Sequence, residues 1–256
     1  VVFYIAVPSS KAGLFEKHIS ATFPRAHIEA SQDDYNPFND NGVSVGAIGR
    51  LTDAAVLPIK TFDRFEQDPL DIILGVFAKL KKEGEGAAIQ LVIAPARDEI
   101  NKEYKEVLKE IQKGSSVNRA LESSAMKVAR EFVGVAKELF GNSSKPDTEN
   151  EREYDDVDQE MVRVVTEKIS SPIVNTNIRI VASADDRVRA REILTDLESA
   201  FHQFSNEPHN SIGFRHVNEK GMKQLLQDFS FRMYEEKYAM RLNLKEMTTV
   251  FHLPVT

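Results

Sequence analysis

The order in which apolar periodicity changes along residues 1–96 restricts the fold more than any single motif does. Residues 1–7 are dense in β-branched and aromatic side chains and predict a strand, broken by Pro8-Ser9-Ser10. Ser10 stands where a cap would, its side-chain oxygen able to accept a free N–H of the first helical turn. Leu14, Phe15, His18, Ile19 and Thr22 follow at helical spacing, and Pro24 stops them. Residues 27–31 predict a short strand, 33–42 are turn chemistry, 43–51 predict a third strand and 57–62 a short addition. Asp68-Pro69 then opens a helix, because proline at the first helical position forfeits no hydrogen bond and the aspartate complements the helix dipole. Its apolar stripe is Leu70, Ile73, Leu74, Phe77 and Leu80, ended by Gly84 and Gly86. Residues 87–94 (AAIQLVIA) predict a buried strand. The order β-α-β-β-α-β implies a ferredoxin-like plait within residues 1–96, two helices covering one face of an antiparallel sheet.

Residues 97–141 predict a helical connection. Tyr104, Val107, Leu108 and Ile111 share one helical face, and Val117, Leu121, Val128, Phe132 and Leu139 another. Residues 142–156 predict an acidic linker, held extended by like-charge repulsion. A second, smaller α/β module is expected over 157–256. It starts with a helix carrying Val157, Met161, Val164, Val165 and Ile169, then a strand at 173–183 (IVNTNIRIVAS), with Ser183 as the next cap. Leu194, Leu197, Phe201 and Phe204 mark a helix, 212–217 a strand and 221–227 a short helix. Phe229, Phe231 and Met233 alternate as a last strand, and Leu244, Met247 and Phe251 suggest a terminal helical turn. This order partly echoes the first half, and the expected class is α+β.

Composition removes several chemistries. With no cysteine among 256 residues, disulfides, thiolate metal sites and cysteine nucleophiles are excluded. A net charge of −7 sets the global field against nucleic acid, so direct binding is not expected. No apolar run approaches the ~20 residues of a membrane span. The P-loop string is absent, and Gly42, Gly46 and Gly49 read as bulge or turn glycines. His202, His209 and His216 recur at intervals of seven, but Pro208 and its turn neighbours separate them, so no zinc site is expected. The acidic cluster of Asp155, Asp156, Asp158 and Glu160 lacks the glycine and spacing of an EF-hand loop. Arg187, Arg189 and Arg191 step by two and do not share one helix face. Ser9, Ser10 and Lys11 form an anion-site candidate at a helix start, with a capping serine beside a solvated lysine as the alternative. No catalytic residue, metal ligand or cofactor is expected.

Four stretches carry a resemblance. Residues 243–254 (NLKEMTTVFHLP) resemble the L-N-x-E-E-L-A-x-L-x-H-x-P segment of bacterial type IV secretion or conjugative DNA-transfer ATPases of the HerA/FtsK-like, TraG-like group. Three other pieces look similar to segments of the same proteins: 23–29 (FPRAHIE), 59–62 (IKTF) with Asp68-Pro69-Leu70, and 85–95. Lys245 stands where the pattern has glutamate, and Met247-Thr248 replace Leu-Ala. The motor's own Walker motifs are absent, so its catalytic roles have no positions here. In that group the final segment precedes the motor domain. The start at Val1 and the end at Thr256 fit a region cut from something longer.

The resemblance implies a non-catalytic accessory or interaction region of such an ATPase, acting through protein contacts or assembly. Implied partners are the downstream motor domain, a second copy of the chain in a homo-oligomer, and secretion-channel proteins. The implied location is cytoplasmic, peripheral to the inner membrane through the full-length protein or its partners. Leu244, Met247, Phe251, His252 and Pro254 are the expected interdomain contacts. The alternatives are a stand-alone small enzyme on a plait fold and a nucleic-acid-binding module.

Overall fold

A computed structural model describes residues 1–30, 36–81, 83–124 and 158–254. Ser31, the faces at Val128, Phe132 and Leu139, Val157 and the acidic linker of 142–156 lie outside the described residues. The strands are β1 (Val43–Leu51), β2 (Gly86–Pro95), β3 (Ile173–Ala184), β4 (Ile212–His216) and β5 (Met240–Asn243). The helices are α1 (Ala12–Thr22), α2 (Pro69–Phe77), α3 (Asp98–Gln112), α4 (Gln159–Ile169), α5 (Arg187–Phe201), α6 (Glu219–Ser230) and α7 (Leu244–Val250), and residues 117–124 are also helical. The class is α+β, with one open antiparallel sheet.

β3 organises that sheet. One edge of β3 takes β2 from Val174 to Ser183, while the other takes β1 near its C-terminal end and β5 near its N-terminal end. β4 adds to the far side of β1, giving the order β2-β3-β1-β4. Every pairing is antiparallel. The sheet therefore draws β1 and β2 from the first half of the chain and β3, β4 and β5 from the second. A division into a first module at 1–96 and a second at 157–256 does not describe it.

Three strands expected in the first half do not form. Residues 1–7 and 26–30 are irregular, and 57–61 run as loop. The physical reason is that a strand needs a partner: both edges of β1 are taken by β3 and β4, and none of the three segments pairs with the outer edge of β2 or β4. Phe3 instead packs against the core, and Leu57 and Ile59 are buried because they plug clusters beneath the helices. In the second half, Asp186 rather than Ser183 caps α5, its carboxylate accepting from the amides of Val188 and Arg189. Ser183 is buried in β3 and accepts from the Asn39 amide at 2.8 Å. Phe229 lies inside α6, and the final strand falls at Met240–Asn243 instead of at the Phe229-Phe231-Met233 alternation.

Alternation along β3 separates two faces. Ile178, Ile180, Ala182 and Ala184 join α2 and α5 in the main core, with Ile73, Leu194, Leu197 and Phe201. Phe201 meets Phe204 and Phe214 edge-on, at centroid distances of 5.7 and 4.9 Å; such pairs add ~0.5–1.5 kcal/mol beyond their burial. Val181 faces the other way, where α6 covers the sheet through Leu225. Gly46 makes that cover possible: a Cβ there would stand 2.5 Å from Leu225 Cδ2 and 2.9 Å from the Ile180 carbonyl. It is a close-packing glycine in a regular strand, not a bulge. A separate cluster joins α3 and α4 through Tyr104, Val107, Ile111, Val164 and Val165, and reaches the sheet at Ile173.

Candidate functional site

The C-terminal helix is fastened by polar groups. Asn243 caps α7, its Oδ1 accepting from the Glu246 amide at 2.8 Å while Glu246 Oε2 accepts from the Asn243 amide at 2.7 Å. This reciprocal capping box satisfies two amides at the helix start. Glu246 does more than cap. Its Oε1 accepts from the Ile59 amide at 2.8 Å, and its Oε2 accepts from Lys168 Nζ at 2.6 Å. Both side chains of that ion pair are 0% exposed. Lys168 also donates to the Arg241 carbonyl at 2.8 Å, and Asn243 Nδ2 donates to the Lys168 carbonyl at 3.0 Å. Burial pulls the Lys168 ammonium below its ordinary pKa, and the Glu246 charge and hydrogen bond act against that pull.

A half-buried ring of charge surrounds this pair. Lys245 bridges Asp63 at 3.1 Å and Glu167 at 3.3 Å, and Arg64 reaches Glu167 at 3.0 Å and Asn206 Oδ1 at 2.8 Å. Burial lowers the Lys245 ammonium, but the hydrogen bonds and charges of Asp63 and Glu167 outweigh it and hold its pKa above the ordinary value. Thr249 Oγ1 accepts from the Phe62 amide at 2.9 Å. His252 places Nε2 at 2.9 and 3.0 Å from the two oxygens of Asp68, and Nδ1 at 3.1 Å from the Thr248 carbonyl. Both ring nitrogens lie within hydrogen-bond distance of oxygen atoms. Burial raises the Asp68 carboxyl, yet the His252 and Leu70 hydrogen bonds and the His252 charge bring it below the ordinary value.

The residues expected as interdomain contacts divide. Met247 packs on the main core, and the Phe251 ring lies 6.0 Å from that of Phe3. Pro254 is half-buried, and Leu244 is exposed. The fully buried residues of α7 are Glu246, Thr249 and Val250, while Met247 is half-buried and Leu244 exposed. Sequence reasoning missed Lys168, Asn243, Glu246 and Thr249. The N-x-x-E spacing of Asn243 and Glu246 was the available signal for the cap, whereas nothing local marks Lys168 as buried.

Ser9, Ser10 and Lys11 form an exposed 3₁₀ turn. Neither serine caps α1, whose N-cap is Lys11 without a side-chain bond, and α1 buries no residue. Of the arginines singled out, Arg187 pairs with Glu219 at 2.8 Å, and Arg189 with Glu85 at 2.8 Å and Glu192 at 3.2 Å. His209 faces Glu160 and His216 faces Glu198, so those histidines sit in separate places. No group of three or more metal-ligating side chains is found among the described residues, and none of the helices there is long and apolar enough to cross a membrane.

No curated protein and no solved structure matches the chain. A family model described as Domain of unknown function (DUF8128) matches residues 1–256, and the chain belongs to that family.

Proposed function

We propose that this chain is an accessory module of a DNA-transfer or DNA-translocating ATPase of the HerA/FtsK-like, TraG-like group, acting through protein contacts and not through catalysis of its own. One observation carries the reading. Stretches that resemble that group and lie far apart in sequence meet at α7: Glu246 accepts from Ile59, Thr249 from Phe62, and His252 pairs with Asp68. In this reading the interlock holds α7 and residues 251–254 at a set angle to the sheet, which suits a segment that positions a neighbouring domain.

The fold is read here as a ferredoxin-like plait distributed over the whole chain. The elements β1-α2-β2 and β3-α5-β4 supply a β-α-β-β-α-β order, and the antiparallel order β2-β3-β1-β4 supports it. The segment from α3 to α4 is then an insertion between the two central units.

The test is size-exclusion chromatography and ATP hydrolysis with the purified chain and the motor domain of a HerA/FtsK-like ATPase from the same genome. Co-elution is expected, with no hydrolysis by the chain alone. Hydrolysis by the isolated chain that a point substitution within it abolishes would overturn the proposal, as would separate elution at micromolar concentrations of both.

A further inference from the structure

A groove of about 390 Å³ opens on the sheet face opposite α2 and α5, between β1, β4 and residues 237–240. Ile48 contributes to its floor, and Arg50, Arg215, Lys237 and Tyr238 line it. Register explains why the two arginines meet. Arg215 on β4 lies directly opposite Ile48 on β1, and Arg50 is two residues along from Ile48, so both project from one face. Diagonal neighbours of this kind have side chains roughly 7 Å apart.

Of the three cations, Lys237 is matched by Glu235, whereas Arg50 and Arg215 are not neutralised. Arg215 and Lys237 each sit 4.8 Å from the centre of the Tyr238 ring, and a neutral ring fixes a cation without cancelling it. Among the described residues no carboxylate lies in ion-pair distance of Arg50 or Arg215, and both are exposed. Of the two acids just before Lys237, Glu235 pairs with Lys237 itself at 3.4 Å, and Glu236 with Arg97 at 3.3 Å. In this chain of net charge −7, Arg64, Arg163, Arg187 and Arg189 by contrast each meet a carboxylate. Leaving cations unmatched along one groove costs self-repulsion, which an anion in the groove would relieve.

We infer that this groove binds the phosphodiester backbone of a single-stranded nucleic acid. Successive cations along an open groove follow a chain of phosphates, and the half-buried Tyr238 ring offers a surface to a base. The overall negative charge makes the interaction depend on this one place. The inference stands on the groove's own geometry and goes beyond the protein-contact role proposed above.

The test uses the whole chain and a fluorescent fifteen-nucleotide thymidine strand, with anisotropy read across a salt series. With the two unmatched arginines engaged, the log–log salt slope is expected near −1.4, from ~0.7 per phosphate on single strands. Arg50→Ala/Arg215→Ala/Lys237→Ala is expected to weaken binding at least tenfold and flatten the slope, with an unchanged circular dichroism spectrum and melting temperature. Lys102→Ala/Lys105→Ala, which removes two exposed lysines of α3, is expected to leave binding unchanged. Absence of binding at low salt, or equal losses in the two variants, overturns the inference. Competition by inorganic phosphate or tripolyphosphate at the same total phosphate concentration as unlabelled strand overturns the assignment to a strand. None of these outcomes bears on co-elution with a motor domain, so the two proposals fail separately.

Discussion

Lys168 on α4 and Glu246 on α7, 78 residues apart in sequence, close an ion pair of 2.6 Å with neither side chain exposed to solvent. Its energetic meaning lies in what it leaves behind when broken. Two desolvated charges that meet only each other and backbone groups contribute little net stability, but removal of one strands the other.

Lys168→Met is therefore expected to cost about 3–5 kcal/mol, because Glu246 would remain buried without its cation. Glu246→Gln in the same background should recover part of that loss, since the amide oxygen can still accept from Ile59 while the stranded charge is gone. Urea denaturation of both single variants and the double variant checks this. Strict additivity of the two losses would contradict the coupling.

The acid limb of stability should report Glu85. Hydrogen bonds from Arg189 and the Lys81 amide hold its carboxyl down at about 2, against the opposing effect of its burial. A carboxylate depressed in the folded state stabilises fully above its unfolded pKa, and that contribution is lost as pH falls through the folded value. The wild-type chain is thus expected to lose this increment between about pH 4.5 and pH 2. Glu85→Gln should lower stability at neutral pH by about 1–2 kcal/mol and flatten that part of the profile, Arg189 being partly open to solvent screening. Parallel acid titrations of melting temperature for the two proteins would reveal an unchanged slope if Glu85 is not responsible.

Gly46→Ala is expected to destabilise by about 1–3 kcal/mol, since the added methyl meets both Leu225 and the Ile180 carbonyl. The same substitution should cost less in a Leu225→Ala background, where one of the two obstructions is removed. Equal costs in both backgrounds would show that α6 does not rest on Gly46.

Residues 1–30 carry one α-helix with no buried residue, and Phe3 packs against the main core with its ring 6.0 Å from that of Phe251. Removing them should preserve cooperative unfolding and the denaturant slope while lowering stability by about 1–2 kcal/mol, the order of one half-buried aromatic side chain. Loss of a single cooperative transition would place this segment inside the folding unit.

Much of the secondary structure was legible locally. The Asp68-Pro69 start of α2, the full span of β1, and β2 and β3 to within one residue at each end follow from caps, turn residues and apolar runs. These are short-range signals, carried by the residues that form the element. The strands expected at 1–7 and 57–62 show the limit, because a strand is defined by a neighbour that its own sequence does not name. The candidate site shows the same limit. Leu244, Met247 and Phe251 were visible as hydrophobic residues at helical spacing, yet Glu246 and Thr249 are more deeply buried.

By itself, then, the sequence determined the α+β class, the absence of cysteine chemistry and the positions of most elements, since propensity, capping and composition act within a few residues. Tertiary structure alone decided that β3 would join strands from both halves, that Lys168 would be buried against Glu246, and that Arg50 and Arg215 would share a face. Those outcomes depend on register and burial between segments far apart in the chain, where sequence periodicity specifies a face but not the partner it will meet.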